Sequence, residues 1–222
     1  MAEAADVPAV GRVVMVAGAT GLVGREVLAA LLADRDNREI HLLGRSAPAL
    51  QDPRIRMHTV DFLHLPALPA VEEVYIALGT TIGAAGSRAA FRAVDHDAVV
   101  AVASAAHASG AQRLGVVSAM GADASSRVFY SRTKGEMERS LAAIGYPALV
   151  VARPSLLAGD RASLGQPRRP GERIGLQVSR VVQGLIPANY RPIHARRVAE
   201  CLIQSVRAAV PGQKILLSGA MQ

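Results

Sequence analysis

Short apolar runs alternate with helical periodicity along most of the chain. A run of four to eight apolar residues is typical of a strand buried on both faces, whereas apolar residues three and four positions apart are typical of an amphipathic helix. The pattern predicts strands near residues 12–17, 39–43, 55–60, 73–78, 114–118, 148–152 and 214–217. It predicts helices near residues 22–33, 87–108, 131–144 and 195–208. Strands that alternate with helices in this way indicate an α/β fold with a doubly wound parallel sheet.

The regular alternation stops after Arg153 and Pro154. Residues 160–173 are rich in Gly, Pro and Arg, as loops are, and residues 174–184 return to helical spacing. We therefore expect a small substrate lobe, inserted around residues 154–195, beyond the carboxyl end of the sixth strand, where ligands of doubly wound sheets bind. Together with this insert, residues 11–222 are expected to form a single domain, preceded by a disordered, Ala-rich tail at residues 1–10.

The first strand runs directly into a G-x-x-G-x-x-G turn, and a helix follows at once. Glycine suits this turn because it is tight, because a pyrophosphate must approach bare backbone, and because the helix must pack close to the strand. The helix N-terminus also offers free N–H groups to phosphates. An ordinary glycine-rich turn is the alternative, but the flanking strand and helix favour a Rossmann-type dinucleotide site. The expected contacts are Gly18, Thr20, Gly21, Leu22, Val23 and Gly24.

The ends of the next strands offer further candidate cofactor contacts. Arg45 stands where an acid would bind the ribose 2′-hydroxyl of NAD, and its planar guanidinium suits a 2′-phosphate; the alternative is a solvated loop arginine. Asp61 either accepts a hydrogen bond from the adenine amino group or caps the next helix. Gly79 lets the backbone approach the cofactor ribose. The other expected contacts at strand ends are Phe62, Leu78, Thr80 and Pro154.

Reaction chemistry is predicted at Ser118, Tyr130 and Lys134. Tyr130 and Lys134 form a Y-x-x-x-K motif, and residues four apart share a helix face. A free phenol has a pKa of about 10, and a nearby ammonium favours its ionised form. Ser118 ends the fifth strand, where its hydroxyl can bond a substrate carbonyl while Tyr130 supplies the proton. Y-x-x-x-K alone is typical of an exposed helix face, but the glycine turn and the strand-end serine favour catalysis.

These motifs resemble the short-chain dehydrogenase/reductase superfamily. Residues 78–81, 117–123 and 153–154 are similar to its atypical, NAD(P)H-binding branch, which includes the Tat-interacting-protein-like oxidoreductases. The resemblance implies a Rossmann fold with hydride transfer to or from a carbonyl or alcohol, and we expect a small or medium organic substrate. Because of Arg45, we expect NADP(H) to be the preferred cofactor, with NAD(H) as the alternative. It implies that Ser118 polarises the substrate oxygen, that Tyr130 donates the proton, and that Lys134 favours the phenolate and holds the nicotinamide ribose.

Two positions depart from the superfamily's pattern. Asp95 lies nearest to the position where the superfamily often has an Asn that helps a proton relay. Ser118 is followed by Ala119, where relatives tend to have paired serines; the spacing to Gly121 favours Ser118 as the match. The first departure leaves open a second function, a non-catalytic protein that senses NADPH and switches a partner interaction.

Charge and composition narrow the choice of partners. The net charge is +7, and residues 153–197 carry nine Arg against two acids. We expect this field to steer anions, either the cofactor alone or an anionic substrate as well, with Arg168 and Arg169 as a candidate anion clamp. Nucleic-acid binding is disfavoured because that region has one aromatic residue, Tyr190, and so no stacking platform.

The remaining expectations concern compartment and assembly. Cys201 is the one cysteine, so an internal disulfide is excluded, as is common in reducing compartments. No apolar run approaches the roughly 20 residues of a membrane span, and the first residues lack the pattern of a signal peptide. We expect a cytoplasmic protein with a small-molecule substrate and no metal site; the sequence makes no prediction of oligomeric state.

Overall fold

The computed structural model describes residues 11–158 and 187–222. Its strands are β1 Arg12–Ala17, β2 Asn37–Gly44, β3 Ile55–Thr59, β4 Glu73–Ile76, β5 Arg113–Val117, β6 Ala148–Arg153, β7 Leu157–Ala158, β8 Ile193–His194 and β9 Gly212–Leu217. Its α-helices are α1 Leu22–Ala33, α2 Ile82–Ala85, α3 Arg88–Arg92, α4 Val99–Ala108, α5 Phe129–Ile144 and α6 Ala195–Arg207. A π-helical segment, Ala93–Ala98, joins α3 to α4, and 3-10 turns cover Ala188–Tyr190 and Ser218–Met221.

Seven strands form one sheet in the order β3-β2-β1-β4-β5-β6-β9, and each of its pairings is parallel. The short strands β7 and β8 pair separately. The chain winds outward from β1 in both directions, so the order of strands reverses between β1 and β4. Ligands of such sheets bind outside the carboxyl ends of the strands at this switch point. The doubly wound Rossmann-type sheet predicted from the sequence is confirmed.

Two apolar layers cover the sheet. One layer packs against α1 and α6 and the other against α4 and α5. Neighbouring residues of β1 alternate between them: Val14 and Val16 belong to the first layer, and Met15 and Ala17 to the second. Because both faces of the central strands are buried, their sequences are continuously apolar rather than alternating.

The boundaries of three predicted elements differ from the structure in ways that affect the candidate site. The helix expected over residues 87–108 is α3, the π-helical segment and α4 in succession, and the wider π turn carries the buried Asp95. The helix expected from residue 131 begins at Phe129, so Tyr130 lies in its first turn. β4 ends at Ile76, which leaves Ala77 and Leu78 outside the strand.

Several expectations fall on residues that the structure does not describe. They are the tail at residues 1–10, the loop at residues 160–173, the helix at residues 174–184 and the pair Arg168 and Arg169. Within residues 11–158 and 187–222, no helix has both the length and the apolar content needed to cross a membrane.

Candidate functional site

A cleft of about 240 Å³ opens at the carboxyl ends of β1, β4, β5 and β6. Strand-end loops, the start of α1 and the first turns of α5 line it. The predicted residues in this lining are Gly21, Leu22, Val23, Leu78, Gly79, Thr80, Ser118, Tyr130, Lys134 and Pro154. The lining that was not predicted is Ala77, Asp95, Val117, Ala119, Ser155, Leu156 and Leu157. The start of α1, directly after the glycine turn, and the predicted reactive residues therefore line the same cleft.

The glycine turn brings α1 very close to β1 and β4. Gly18 has a φ of +88°, and a Cβ there would lie 2.7 Å from the Ala77 carbonyl oxygen. A Cβ on Gly24 would lie 2.0 Å from the Gly18 oxygen, so a larger residue would push the helix away. Gly21 precedes α1, and no side chain caps the helix there. The first N–H groups of α1 therefore face the cleft mouth without a side-chain cap, which fits a bound pyrophosphate.

Arg45, Asp61 and Phe62 lie outside the cleft lining, near the ends of β2 and β3. Arg45 is exposed, and its guanidinium has no hydrogen bond or ion pair with any described residue. Asp61 accepts a hydrogen bond from the Leu63 N–H at 3.0 Å, and its other oxygen lies 3.1 Å from His64 Nδ1. These bonds, the backbone one first, hold the pKa of the Asp61 carboxyl below its usual value. Asp61 thus caps a turn, and Phe62 packs against the α4–α5 layer.

Tyr130, Lys134 and Glu138 follow one another at four-residue spacing on α5, so they lie on one side of the helix. Gly135 beside them lets the helix pack against the loop after β5, because a Cβ there would lie 2.1 Å from the Ala124 nitrogen. This close packing brings the stripe of functional side chains against the ends of β5 and β6.

Lys134 forms a buried ion pair with Asp95. Lys134 Nζ lies 2.6 Å from Asp95 Oδ1, and the two side chains are 5% and 1% exposed. The other Asp95 oxygen accepts a hydrogen bond from the Thr80 N–H at 2.8 Å. Gly79 leaves room for the pair, since a Cβ there would lie 3.3 Å from Asp95 Oδ1. Each charge loses hydration on burial, so each depends on the other for compensation.

Ser118 belongs to a second buried network. Its hydroxyl donates a hydrogen bond to Glu138 Oε1. Arg153 binds the same carboxylate through both oxygens, with Nε 3.0 Å from Oε1 and Nη2 2.5 Å from Oε2. The hydroxyl proton of Ser118 is therefore directed at Glu138, and the oxygen of this cleft-lining residue remains able to accept a hydrogen bond. This arrangement differs from the donation to a carbonyl that the resemblance implied.

Tyr130 completes the cleft. Its ring packs against the fully buried Phe91, with 5.5 Å between ring centroids. No hydrogen bond joins its hydroxyl to any residue in the described part of the chain. The ring is thus held in place while the phenol remains available for proton exchange with a ligand.

Glu138 and Arg153 were not identified as site residues from the sequence. One signal was present for each: Glu138 is a charge four residues after Lys134 on the same helix side, and Arg153 ends the apolar strand β6. Asp95 was noted for its position in the chain, but its pairing with Lys134 was not predicted.

Comparisons with known proteins identify a family and support the fold. Residues 18–180 match the family described as NAD(P)H-binding. The Emericella nidulans protein fmp52, mitochondrial, is 34% identical over 167 residues, which are 71% of this chain and 70% of that protein. The Candida albicans protein FMP52, mitochondrial, is 30% identical over 215 residues, covering 91% of this chain and 92% of that protein.

A solved structure supports the fold independently. The Bordetella bronchiseptica enzyme WbmF in complex with NAD+ and UDP superposes with a TM-score of 0.70 at 18% identity, covering 94% of this chain and 73% of WbmF. At this identity the likeness concerns the fold alone.

The relatives' names correct two expectations. They are FMP52 proteins and do not carry the Tat-interacting name that the sequence suggested. The expected cytoplasmic location is contradicted, because relatives 30–35% identical to the chain are named mitochondrial. A single cysteine excludes a disulfide-bonded scaffold, but it does not distinguish one reducing compartment from another.

Proposed function

The chain belongs to the NAD(P)H-binding family, and from that premise we propose that it is a nicotinamide-dependent oxidoreductase acting on a small or medium organic carbonyl or alcohol. The observation that carries this proposal is one cleft lined by the start of α1 beside the glycine turn, by Tyr130 and by Lys134. The dinucleotide, when bound, supplies or accepts the hydride. The chain's own residues hold it, orient the substrate and move the proton.

The residues of the cleft fit a dinucleotide. Gly21, Leu22 and Val23 would hold the pyrophosphate at the uncapped start of α1. Gly79 and Thr80 would contact the ribose next to the nicotinamide. The Lys134 ammonium has three N–H donors, and Asp95 engages one of them, so two remain for ribose hydroxyls.

We propose that NADP(H) is bound in preference to NAD(H). β2 ends at Gly44, and Arg45 and Ser46 follow with no acid to accept a hydrogen bond from a ribose 2′-hydroxyl. The exposed guanidinium of Arg45 is available to bind a 2′-phosphate through two N–H groups. Asp61, which caps a turn, has a smaller part in this proposal than the sequence suggested.

Tyr130 is the proposed proton donor. In the reduction, hydride reaches the carbonyl carbon, the phenol proton goes to the carbonyl oxygen, and an alcohol forms; the oxidation reverses both transfers. The oxygen of Ser118, whose proton is directed at Glu138, would accept a hydrogen bond from the alcohol and so orient it. Glu138 and Arg153 act on the reaction by positioning Ser118.

A panel of ketones and aldehydes, followed by the loss of NADPH absorbance, tests this proposal. Wild type should consume NADPH with at least one member, and Tyr130→Phe should consume it at least about a hundredfold more slowly while it binds NADPH normally. Normal turnover by Tyr130→Phe would remove the proposed proton donor. Tyr190→Phe, an exposed phenol elsewhere in the chain, is the matched control.

A non-catalytic NADPH sensor is the second candidate, and two observations favour it. Asp95, which lies nearest to the position of the superfamily's relay Asn, holds Lys134, and the Ser118 proton is directed at Glu138. Tight NADPH binding with no turnover across the panel would favour the sensor over the enzyme.

A further inference from the structure

The described lining of the cleft holds two ionised side chains, Asp95 and Lys134. They are in direct contact, with 2.6 Å between Nζ and Oδ1, and both are almost completely buried. Solvent and salt screen buried charges weakly, so each is felt strongly inside the cleft. Because one is negative and the other positive, the pair contributes no net charge to the site.

We propose that Asp95 sets the preference of this site between oxidised and reduced nucleotide by cancelling the charge of Lys134. The inference depends on the proposed function, since it requires that the cleft bind a nicotinamide dinucleotide. The oxidised nicotinamide ring carries one positive charge and the reduced ring carries none. A cleft with an unpaired ammonium would repel the oxidised ring, whereas a cleft with a neutral pair does not.

The geometry allows this charge to be removed with little change of shape. Asp95→Asn keeps a side-chain oxygen that can accept the Thr80 N–H, and it fills the same volume beside Gly79. It leaves Lys134 as the one charged group of the described lining. Asp97 provides a matched control because it lies two residues away in the same π-helical segment, with a side chain that is half exposed and outside the cleft lining.

The sign of the effect can be reversed with a second variant. Lys134→Gln leaves Asp95 as the unpaired charge, so the cleft becomes negative and should favour the oxidised ring. Combining Asp95→Asn with Lys134→Gln leaves two uncharged amides, so the net charge returns to that of wild type. A role for Asp95 in shape alone would predict neither the reversal nor the recovery.

The experiment is a set of equilibrium titrations of NADP+ and NADPH, without substrate, into wild type and the four variants. We expect Asp95→Asn to weaken NADP+ relative to NADPH by about tenfold, the scale for unit charges roughly 12 Å apart at an effective dielectric constant near 20. Lys134→Gln should shift the ratio the other way, the double variant should restore it to within about twofold of wild type, and Asp97→Asn should leave it unchanged.

The outcomes separate this inference from the function on which it depends. Failure of wild type to bind either nucleotide would remove the proposed function. Binding of both nucleotides with the same ratio in wild type, Asp95→Asn and Lys134→Gln would overturn the inference and leave the function intact. If Asp95→Asn does not fold, Lys134→Gln and the double variant still measure the contribution of Asp95, because they differ from each other in that charge alone.

Discussion

Ion pairs occur at both ends of the sheet, partly exposed at the amino end and more deeply buried at the carboxyl end, and they have different roles. At the amino end, Arg12 and Arg207 both bind Asp34 at 2.7 Å, and Arg207 also reaches Asn37. At the carboxyl end, Asp95–Lys134 and Glu138–Arg153 adjoin the cleft. The amino-end groups join the ends of helices and strands to one another. The carboxyl-end groups hold side chains ready for a ligand.

Glu73, at the amino end of the sheet, has only structural contacts within the described residues. It is fully buried, it accepts a hydrogen bond from the Tyr75 hydroxyl at 2.7 Å, and it lies near the guanidinium groups of Arg113 and Arg207. Burial first, and then the charge of Glu73, raises the pKa of the Tyr75 phenol. At the carboxyl end, by contrast, Tyr130 makes no hydrogen bond within the described residues. The Tyr75 hydroxyl is therefore bonded within the protein, whereas the Tyr130 hydroxyl is available to a ligand.

The largest expected effect on this comparison comes from Glu73→Ala. Removing the carboxylate takes a buried anionic partner from Arg113 and Arg207 and leaves the buried Tyr75 hydroxyl without its acceptor, so we expect the free energy of unfolding to fall by about 3 kcal/mol. Denaturant melts measure the loss. The neighbouring Glu72→Ala is the control: Glu72 also pairs with Arg113 but is half exposed, so its loss should cost under about 1 kcal/mol. Equal costs for the two variants would mean that burial is not what distinguishes Glu73.

At the carboxyl end, we expect Ser118→Ala to reduce activity much more than stability. The Arg153–Glu138 pair survives the change, so the stability should fall by only about 1 kcal/mol. Turnover with the best substrate of the panel should fall about tenfold or more, because the substrate oxygen loses an orienting contact. Ser140→Ala, which removes a hydroxyl from α5 beside His96, should leave turnover unchanged. A large stability loss with normal turnover would place Ser118 with the structural residues.

Much of this architecture could be predicted from the sequence because it depends on local patterns. The apolar strands follow from continuous Val and Leu runs, and the turn after β1 follows from glycines at positions where a Cβ would collide with backbone. The two buried networks could not be predicted in this way. Ser118 and Arg153 lie 20 and 15 positions from Glu138, and only the packing of α5 on the sheet brings them together. Likewise, no pattern signalled the π turn that carries Asp95.

Two arginines that flank β2 give a smaller and more specific contrast. Arg45 follows the strand at the carboxyl end, and Arg35 precedes it at the amino end; both side chains are exposed. Arg45→Ala should weaken NADPH binding about tenfold and leave NADH binding unchanged, since only NADPH carries the 2′-phosphate. Arg35→Ala should change neither affinity. Fluorescence titration of the two nucleotides measures both, and an equal loss of NADPH affinity in the two variants would reduce Arg45 to a general surface charge.

The smallest expected effect concerns Tyr146, which precedes β6 at the amino end. Its hydroxyl donates to the Ala103 carbonyl at 2.7 Å, and burial raises the pKa of its phenol. The unfolded chain therefore releases this proton near pH 10, while the folded chain retains it. The contribution of the Tyr146 phenol to the free energy of unfolding is fully present below about pH 10 and falls above it. Tyr146→Phe should cost about 1 kcal/mol at neutral pH and should weaken that alkaline dependence. Denaturant melts across the alkaline range measure this. If Tyr146 did not contribute, the plots of unfolding free energy against pH would be parallel for wild type and Tyr146→Phe.

Hydrogen exchange of the backbone amides, with and without NADPH, tests the contrast between the two ends most directly. We predict that NADPH slows exchange at the carboxyl end, in the glycine turn and first turn of α1, in residues 78–80 and at the start of α5. Exchange around Arg12, Asp34 and Glu73 at the amino end should not change beyond any uniform gain in global stability. Protection confined to the amino end, or no protection at saturating NADPH, would contradict the assignment of the cleft as the nucleotide site.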